Sequence, residues 1–133
     1  MPASAAGSDA NEVLLRCLLV DDNEAFVEIA RRILDPSGVK VTGTASNIAE
    51  AVLRVSELRP DIVLIDITLG EENGFDLARR LAELDAPGPA VIMISSDTED
   101  DYMDLMAEGH ALGFLPKAEL SADGIRGLLG EAR

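Results

Sequence analysis

Four stretches of the chain carry side chains that could do chemistry on a phosphoryl group. Asp21 and Asp22 follow the apolar run Cys17-Leu-Leu-Val20. Asp66 follows Ile62-Val-Leu-Ile65 and precedes Ile67, an acid in an apolar setting. Ser95 and Ser96 follow Val91-Ile-Met-Ile94, and Lys117 follows Gly113-Phe-Leu-Pro116. Lysine is scarce here, the other being Lys40. Singly, each has a plain reading. The acidic pair could open a loop ahead of a helix N-terminus, Asp66 could form a turn, Ser95 could cap a helix, and Lys117 could be a solvated loop residue. Gathered together, they make a different set. Two carboxylates about 5 Å apart repel by roughly 3 kcal/mol at an effective dielectric of about 20. Three need a compensating charge, or one must hold a proton. A hard divalent cation with oxygen ligands is the natural solution, and Mg²⁺ (or Mn²⁺) fits, since it keeps waters and takes one or two carboxylates directly. With one His and one Cys, the chain has no zinc-type cluster. A carboxylate is a competent nucleophile toward phosphorus. The transition state spreads charge over three equatorial oxygens, and a metal ion, the Lys117 ammonium and the Ser95 hydroxyl could take one each.

The elements that must position these groups are five short apolar runs alternating with five segments of helical period. The runs are Leu14 to Val20, Val39 to Ala45, Ile62 to Ile65, Ala90 to Ile94 and Gly113 to Leu115. The first, third and fourth are nearly all apolar, Arg16 excepted, as strands buried on both faces of a parallel sheet should be. The second alternates more and belongs nearer an edge. The first helix follows Asn23 with Phe26, Ile29, Ala30, Ile33 and Leu34 on one stripe. The second has Ser46 or Asn47 as cap and Ile48, Ala51, Val52 and Val55 as stripe. The third has Asn73 as cap and Phe75, Ala78, Leu81 and Ala82. The fourth has Asp97 or Thr98 as cap and Tyr102, Leu105 and Met106, and the fifth has Ser121 as cap and Ile125, Leu128 and Leu129. This alternation predicts a flavodoxin-like α/β fold: a doubly wound, five-stranded parallel sheet of order 2-1-3-4-5 with five helices. Ligands in such sheets bind beyond the carboxyl ends of the strands, where Asp21, Asp22, Asp66, Ser95 and Lys117 all fall.

Composition narrows the functional classes. The 133 residues suit one domain. We expect residues 1–12, small and polar, to be a disordered lead-in without a secretory signal, and residues 13–133 to form the domain. The apolar runs are far too short to span a bilayer, so a cytoplasmic location is the default. A net charge of −14 opposes direct binding to nucleic acid. Cys17, the lone thiol, reads as an inert core residue, and His110 as a surface residue at the end of the fourth helix.

The motifs Leu18-Leu-Val-Asp21-Asp22-Asn23, Asp61-Ile-Val-Leu-Ile-Asp66, Val91-Ile-Met-Ile-Ser95-Ser96 and Gly113-Phe-Leu-Pro-Lys117 are weak singly. In this order, on these strand ends, they resemble the receiver domain of two-component response regulators, from about Leu14 to Leu129. The resemblance implies that Asp66 is the phosphoacceptor. It implies a metal set of Asp22 directly, Asp21 largely through water, Asp66 itself and the backbone carbonyl of Thr68. Ser95 takes the position of the hydroxyl that senses the phosphoryl group, and Lys117 that of the family's lysine. Phe114 takes the aromatic switch position, its plain reading being a core residue of the last strand. Thr68, Ser96 and Asp97 stand where access of water is tuned, and Gly74 matches the glycine that opens the third helix. Two usual prolines are replaced, by Gly70 and Ala118. The first change predicts a loop without proline's restraint, and the second leaves the local geometry open.

The function so implied is Mg²⁺-dependent phosphorylation of Asp66 by a sensor histidine kinase or a histidine phosphotransfer protein. It would switch a surface on the fourth helix, fifth strand and fifth helix toward a downstream protein, with a homodimer through the same surface left open. No enzymatic activity is expected beyond the domain's own phosphoryl transfer and dephosphorylation. The chain stops at Arg133, so the expectation is a stand-alone receiver. The alternatives are a piece of a larger DNA-binding regulator and a binding module indifferent to phosphorylation. A haloacid-dehalogenase-like phosphohydrolase would want a second acid where Thr68 stands.

Overall fold

The computed structural model of the chain describes residues 14–84, 88–96 and 111–131. In chain order the elements are β1 (Leu15–Val20), α1 (Glu24–Leu34), β2 (Val39–Ala45), α2 (Ile48–Leu58), β3 (Ile62–Asp66), a hairpin of β4 (Thr68–Leu69) and β5 (Glu72–Asn73), α3 (Gly74–Ala82), β6 (Ala90–Ser95), β7 (Gly113–Pro116) and α4 (Ala122–Glu131). The main sheet is parallel, in the order β2-β1-β3-β6-β7. Counting its five strands alone, that is the expected 2-1-3-4-5, with the alternating second strand at the edge.

One expectation requires correction. The described residues hold four α-helices, not five. The helix expected after Asp97 or Thr98 falls on residues 97–110, and with it Tyr102, Leu105, Met106 and His110 lie outside the described residues.

Alternation along the strands divides the core in two. Leu18, Val20, Val63, Ile65 and Met93 point to one face, where α2 brings Ala51 and Val55 and α3 brings Ala78 and Leu81. Cys17, Leu19, Ile62, Leu64, Ile92 and Ile94 point to the other, against Ala30 and Leu34 of α1 and Ile125 of α4. Both faces of β1, β3 and β6 are therefore covered, which is why these strands read as continuous apolar runs. Burial pushes the Cys17 thiol up to about 12, a backbone hydrogen bond involving Leu64 opposing and the Asp35 charge adding, as an inert core cysteine requires.

The helix caps follow the sequence. Asn23, Asn47, Asn73 and Ser121 each accept a backbone N–H of the helix that follows. The stripe of α1 is narrower than its spacing suggests. Ala30 and Leu34 are buried and Phe26 is half-buried, but Ile29 is 51% exposed and Ile33 38% exposed. Both lie on the flank of an arc whose centre alone meets the sheet.

Candidate functional site

The carboxyl ends of four neighbouring strands, β1, β3, β6 and β7, deliver the site. Asp66 is the last residue of β3, paired with Ile94 of β6. Asp21 follows β1 and keeps its backbone in the sheet by donating to the Ala45 carbonyl at 2.9 Å. Ser95, 2% exposed, ends β6 beside Pro116 of β7, and Lys117 follows at once. Beyond Asp66 the chain folds straight back. Ile67 donates to Ile94, Gly74 donates to the Ile67 carbonyl, and the β4–β5 hairpin lies between. A Cβ at position 74 would collide with the Asp66 carbonyl oxygen, so only glycine lets α3 begin directly beneath the acid.

Oxygens of Asp21, Asp22 and Asp66 lie within 4.8 Å of one another. Lys117 Nζ sits 2.7 Å from Asp21 Oδ2 and 3.0 Å from Asp66 Oδ2. The other oxygens of Asp21 and Asp66 are held by backbone. Asp66 Oδ1 accepts from the Thr68 amide at 3.1 Å, and Asp21 Oδ1 from the Asn23 amide at 2.9 Å. Both carboxylate planes are thus fixed at two points before any ligand arrives. Asp21 and Asp66 are buried while Asp22 is exposed at the rim. Burial is the main force raising the Asp66 carboxyl above its ordinary range. The Thr68 and Lys117 hydrogen bonds oppose it, and the Asp21 charge adds to it. Burial alone would lower the Lys117 ammonium, but hydrogen bonds and charge from Asp21 and Asp66 outweigh it and hold the group above its ordinary value.

The donor set suits a divalent cation. Three carboxylates against one ammonium leave two negative charges uncompensated, all on hard oxygen donors. Asp21 Oδ2 is fully enclosed and has only the Lys117 charge beside it, with no well-directed hydrogen bond. The cluster can therefore chelate a divalent metal. A cavity of about 810 Å³ opens from Asp21 and Asp22 between α1 and α2, where Glu24, Glu28 and Glu50 outnumber Arg54 along its lining, so it is acidic on balance.

The residue model of the response regulator receiver domain matches positions 17–126. The chain belongs to that family. The receiver domain is 38% identical over 81 residues to the chemotaxis protein CheY of Thermotoga maritima, covering 61% of this chain and 67% of that protein. It is 32% identical over 104 residues to protein-glutamate methylesterase/protein-glutamine glutaminase 3 of Hahella chejuensis, covering 77% of this chain but 30% of that one. Against the response regulator GacA of Pseudomonas viridiflava it spans 49% of the relative's length. Among solved structures, the signal receiver domain of the NarL response regulator from Mycobacterium tuberculosis superposes with a TM-score of 0.77 at 26% identity, covering 90% of this chain and 97% of that one. The receiver domain of a modulated diguanylate cyclase from Desulfovibrio desulfuricans G20 does so at 0.73 and 31% identity, covering 90% and 93%.

Of the residues singled out in the sequence, the fold brings Asp21, Asp22, Asp66 and Lys117 into one cluster, with Ser95 on the adjoining strand end. Thr68 and Ser96 are exposed beside it, and Phe114 is half-buried on the α2–α3 side. Asp97 lies outside the described residues. Three residues of this receiver domain act at the site in ways their sequence positions did not announce. Asn23 both caps α1 and donates its own amide to Asp21. Phe26, assigned to the core stripe, lies with its ring centroid 4.4 Å from Lys117 Nζ. Glu72 accepts from the Ile48 amide at 2.9 Å, tying the hairpin after Asp66 to the start of α2. A carboxylate that close to a helix N-terminus is the signal that could have found it, but Glu72 lies 24 residues from its partner.

Proposed function

We propose that Asp66 accepts a phosphoryl group from a phosphohistidine on a sensor kinase or phosphotransfer protein. The observation that carries this is the pairing of a buried strand-end carboxylate with an ammonium at 3.0 Å inside a three-carboxylate cluster. In the transfer an Asp66 oxygen forms a bond to phosphorus while the phosphorus–nitrogen bond breaks, and the electron pair leaves with the imidazole. Asp21, Asp22, Asp66 and the Thr68 backbone carbonyl would hold Mg²⁺, which when bound neutralises charge on the phosphoryl oxygens. The chain's own groups do the rest. The Thr68 amide keeps the Asp66 plane from turning. Lys117, resting between Asp21 and Asp66, needs only a short shift to meet an incoming phosphoryl oxygen. The Ser95 hydroxyl and the exposed residues Thr68 and Ser96 line the approach.

The added group carries roughly −1.5 to −2 charges. Its oxygens would draw Ser95 and open space for Phe114 to turn inward, changing the surface around β7 and α4 that a downstream protein reads. The domain then carries no enzymatic role beyond its own phosphorylation and dephosphorylation. Intact mass spectrometry after exposure to a small acyl phosphate tests the first step. The expected result is a gain of one phosphoryl group that requires Mg²⁺ and is lost in Asp66→Asn. An adduct that persists in that variant refutes Asp66 as acceptor.

A further inference from the structure

We propose that Phe26 is a positioning residue for Lys117, its aromatic face holding the ammonium at the rim while the carboxylates change partners; this rests on the reading of Asp66 as phosphoacceptor. The ring centroid is 4.4 Å from Lys117 Nζ, within cation–π range. The Lys117 side chain is only 14% exposed, so the ring meets a cation largely withdrawn from water, where such contacts are strongest. The ring is placed by the same turn that places Asp21. Asn23 donates its amide to Asp21 Oδ1 and accepts the Phe26 amide at 3.2 Å. Asn23 therefore ties Asp21 to the first turn of α1 that carries the ring.

What sets the ring apart from the other partners of Lys117 is that chemistry does not consume it. Asp21 and Asp66 hold the ammonium at 2.7 and 3.0 Å. Both belong to the carboxylate cluster that would share its charge with a divalent cation. Asp66 also gives up carboxylate charge when it becomes an acyl phosphate. The π face of Phe26 loses nothing in either event. It keeps the ammonium where a phosphoryl oxygen arrives, instead of letting a long, flexible side chain swing into solvent. Phe26 also packs on the α1–α4 core, so the test must separate packing from the aromatic face. Leu at position 26 keeps an apolar side chain without the π face, and Tyr keeps both.

The experiment uses the full chain as wild type, Phe26→Leu, Phe26→Tyr and Leu34→Val, the last loosening the buried far end of the same helix. Two readouts are taken. Lysine-selective isotope labelling gives two spin systems, Lys40 and Lys117, and without metal or phosphodonor the Lys117 ε-methylene protons should show an upfield ring-current shift. Phe26→Leu should abolish that shift and Phe26→Tyr should keep it. The rate of phosphoryl uptake from a small acyl phosphate should fall about three- to tenfold in Phe26→Leu, the loss expected of one partly desolvated cation–π contact. It should stay near wild type in Phe26→Tyr and Leu34→Val. Equal uptake by Phe26→Leu and wild type overturns the proposal, as does equal slowing in Phe26→Leu and either Phe26→Tyr or Leu34→Val. An unshifted Lys117 signal in the wild type overturns the contact itself. No uptake by the wild type overturns the phosphoacceptor reading and this one with it, a result distinct from uptake that is insensitive to position 26.

Discussion

Asp66 meets opposing demands. As the proposed nucleophile it must be ionised, yet its setting raises its pKa above the ordinary carboxylate value, chiefly through burial. An acid whose folded value is raised contributes stability that is full below its unfolded pKa and lost as pH rises through the folded one. With a chelator present, Asp66→Asn should therefore melt above the wild type at neutral pH. The difference should shrink as pH falls below the ordinary carboxylate range. Thermal unfolding of both proteins across that span checks it, and a variant that melts lower at neutrality contradicts the sign. At this scale the clustering of Asp21, Asp22, Asp66 and Lys117 was legible from the sequence, because each falls at the carboxyl end of a strand in a parallel sheet. Phe26 was not. A half-buried aromatic at helical spacing looks the same whether it fills a core or faces a cation, and only the fold shows which atom lies over its ring.

Among the elements, the loop after Asp66 shows what glycine supplies there. Gly70, where the family resemblance leads to an expectation of proline, occupies the first central position of the β4–β5 turn with φ of +60°, where a hairpin turn asks for glycine. Proline, locked near −65°, cannot adopt that backbone. Gly70→Pro should therefore cost more than about 1 kcal/mol, while Gly70→Asn, which tolerates the left-handed region, should cost less. Denaturant melts of the two variants decide it; a Gly70→Pro protein as stable as the wild type would mean the turn can re-form without positive φ. β1, β3 and β6 were readable because burial on both faces writes itself as unbroken apolar sequence, and the edge strand β2 because its exposure alternates. A pair of two-residue strands has no period to read. Likewise, the exposure of Ile29 and Ile33 depends on how far around α1 the sheet reaches, which spacing alone does not fix.

For the molecule as a whole, one sheet serves two cores. Leu77 of α3 and Ile125 of α4 are both fully buried, on opposite faces. Replacing either with alanine should cost about 2–5 kcal/mol. Because every strand of the centre contributes side chains to both faces, the two losses should act on a single cooperative transition, seen alike by circular dichroism and by tyrosine-independent probes such as amide exchange. Separate transitions for the two variants would mean the faces unfold independently. The order of the sheet and its two-sided packing were available from the alternation of elements. The share of each helix buried depended on how they dock.

The burial of Cys17 has a practical side. Its sulfur lies fully enclosed in the sheet and its thiol is pushed up to about 12, so at neutral pH almost none of it is the reactive thiolate. A cysteine introduced on the surface, for instance in place of the exposed Ser56 of α2, should therefore accept a maleimide dye or spin label alone. Fluorescence or distance measurements on this protein can keep the native residue in its core.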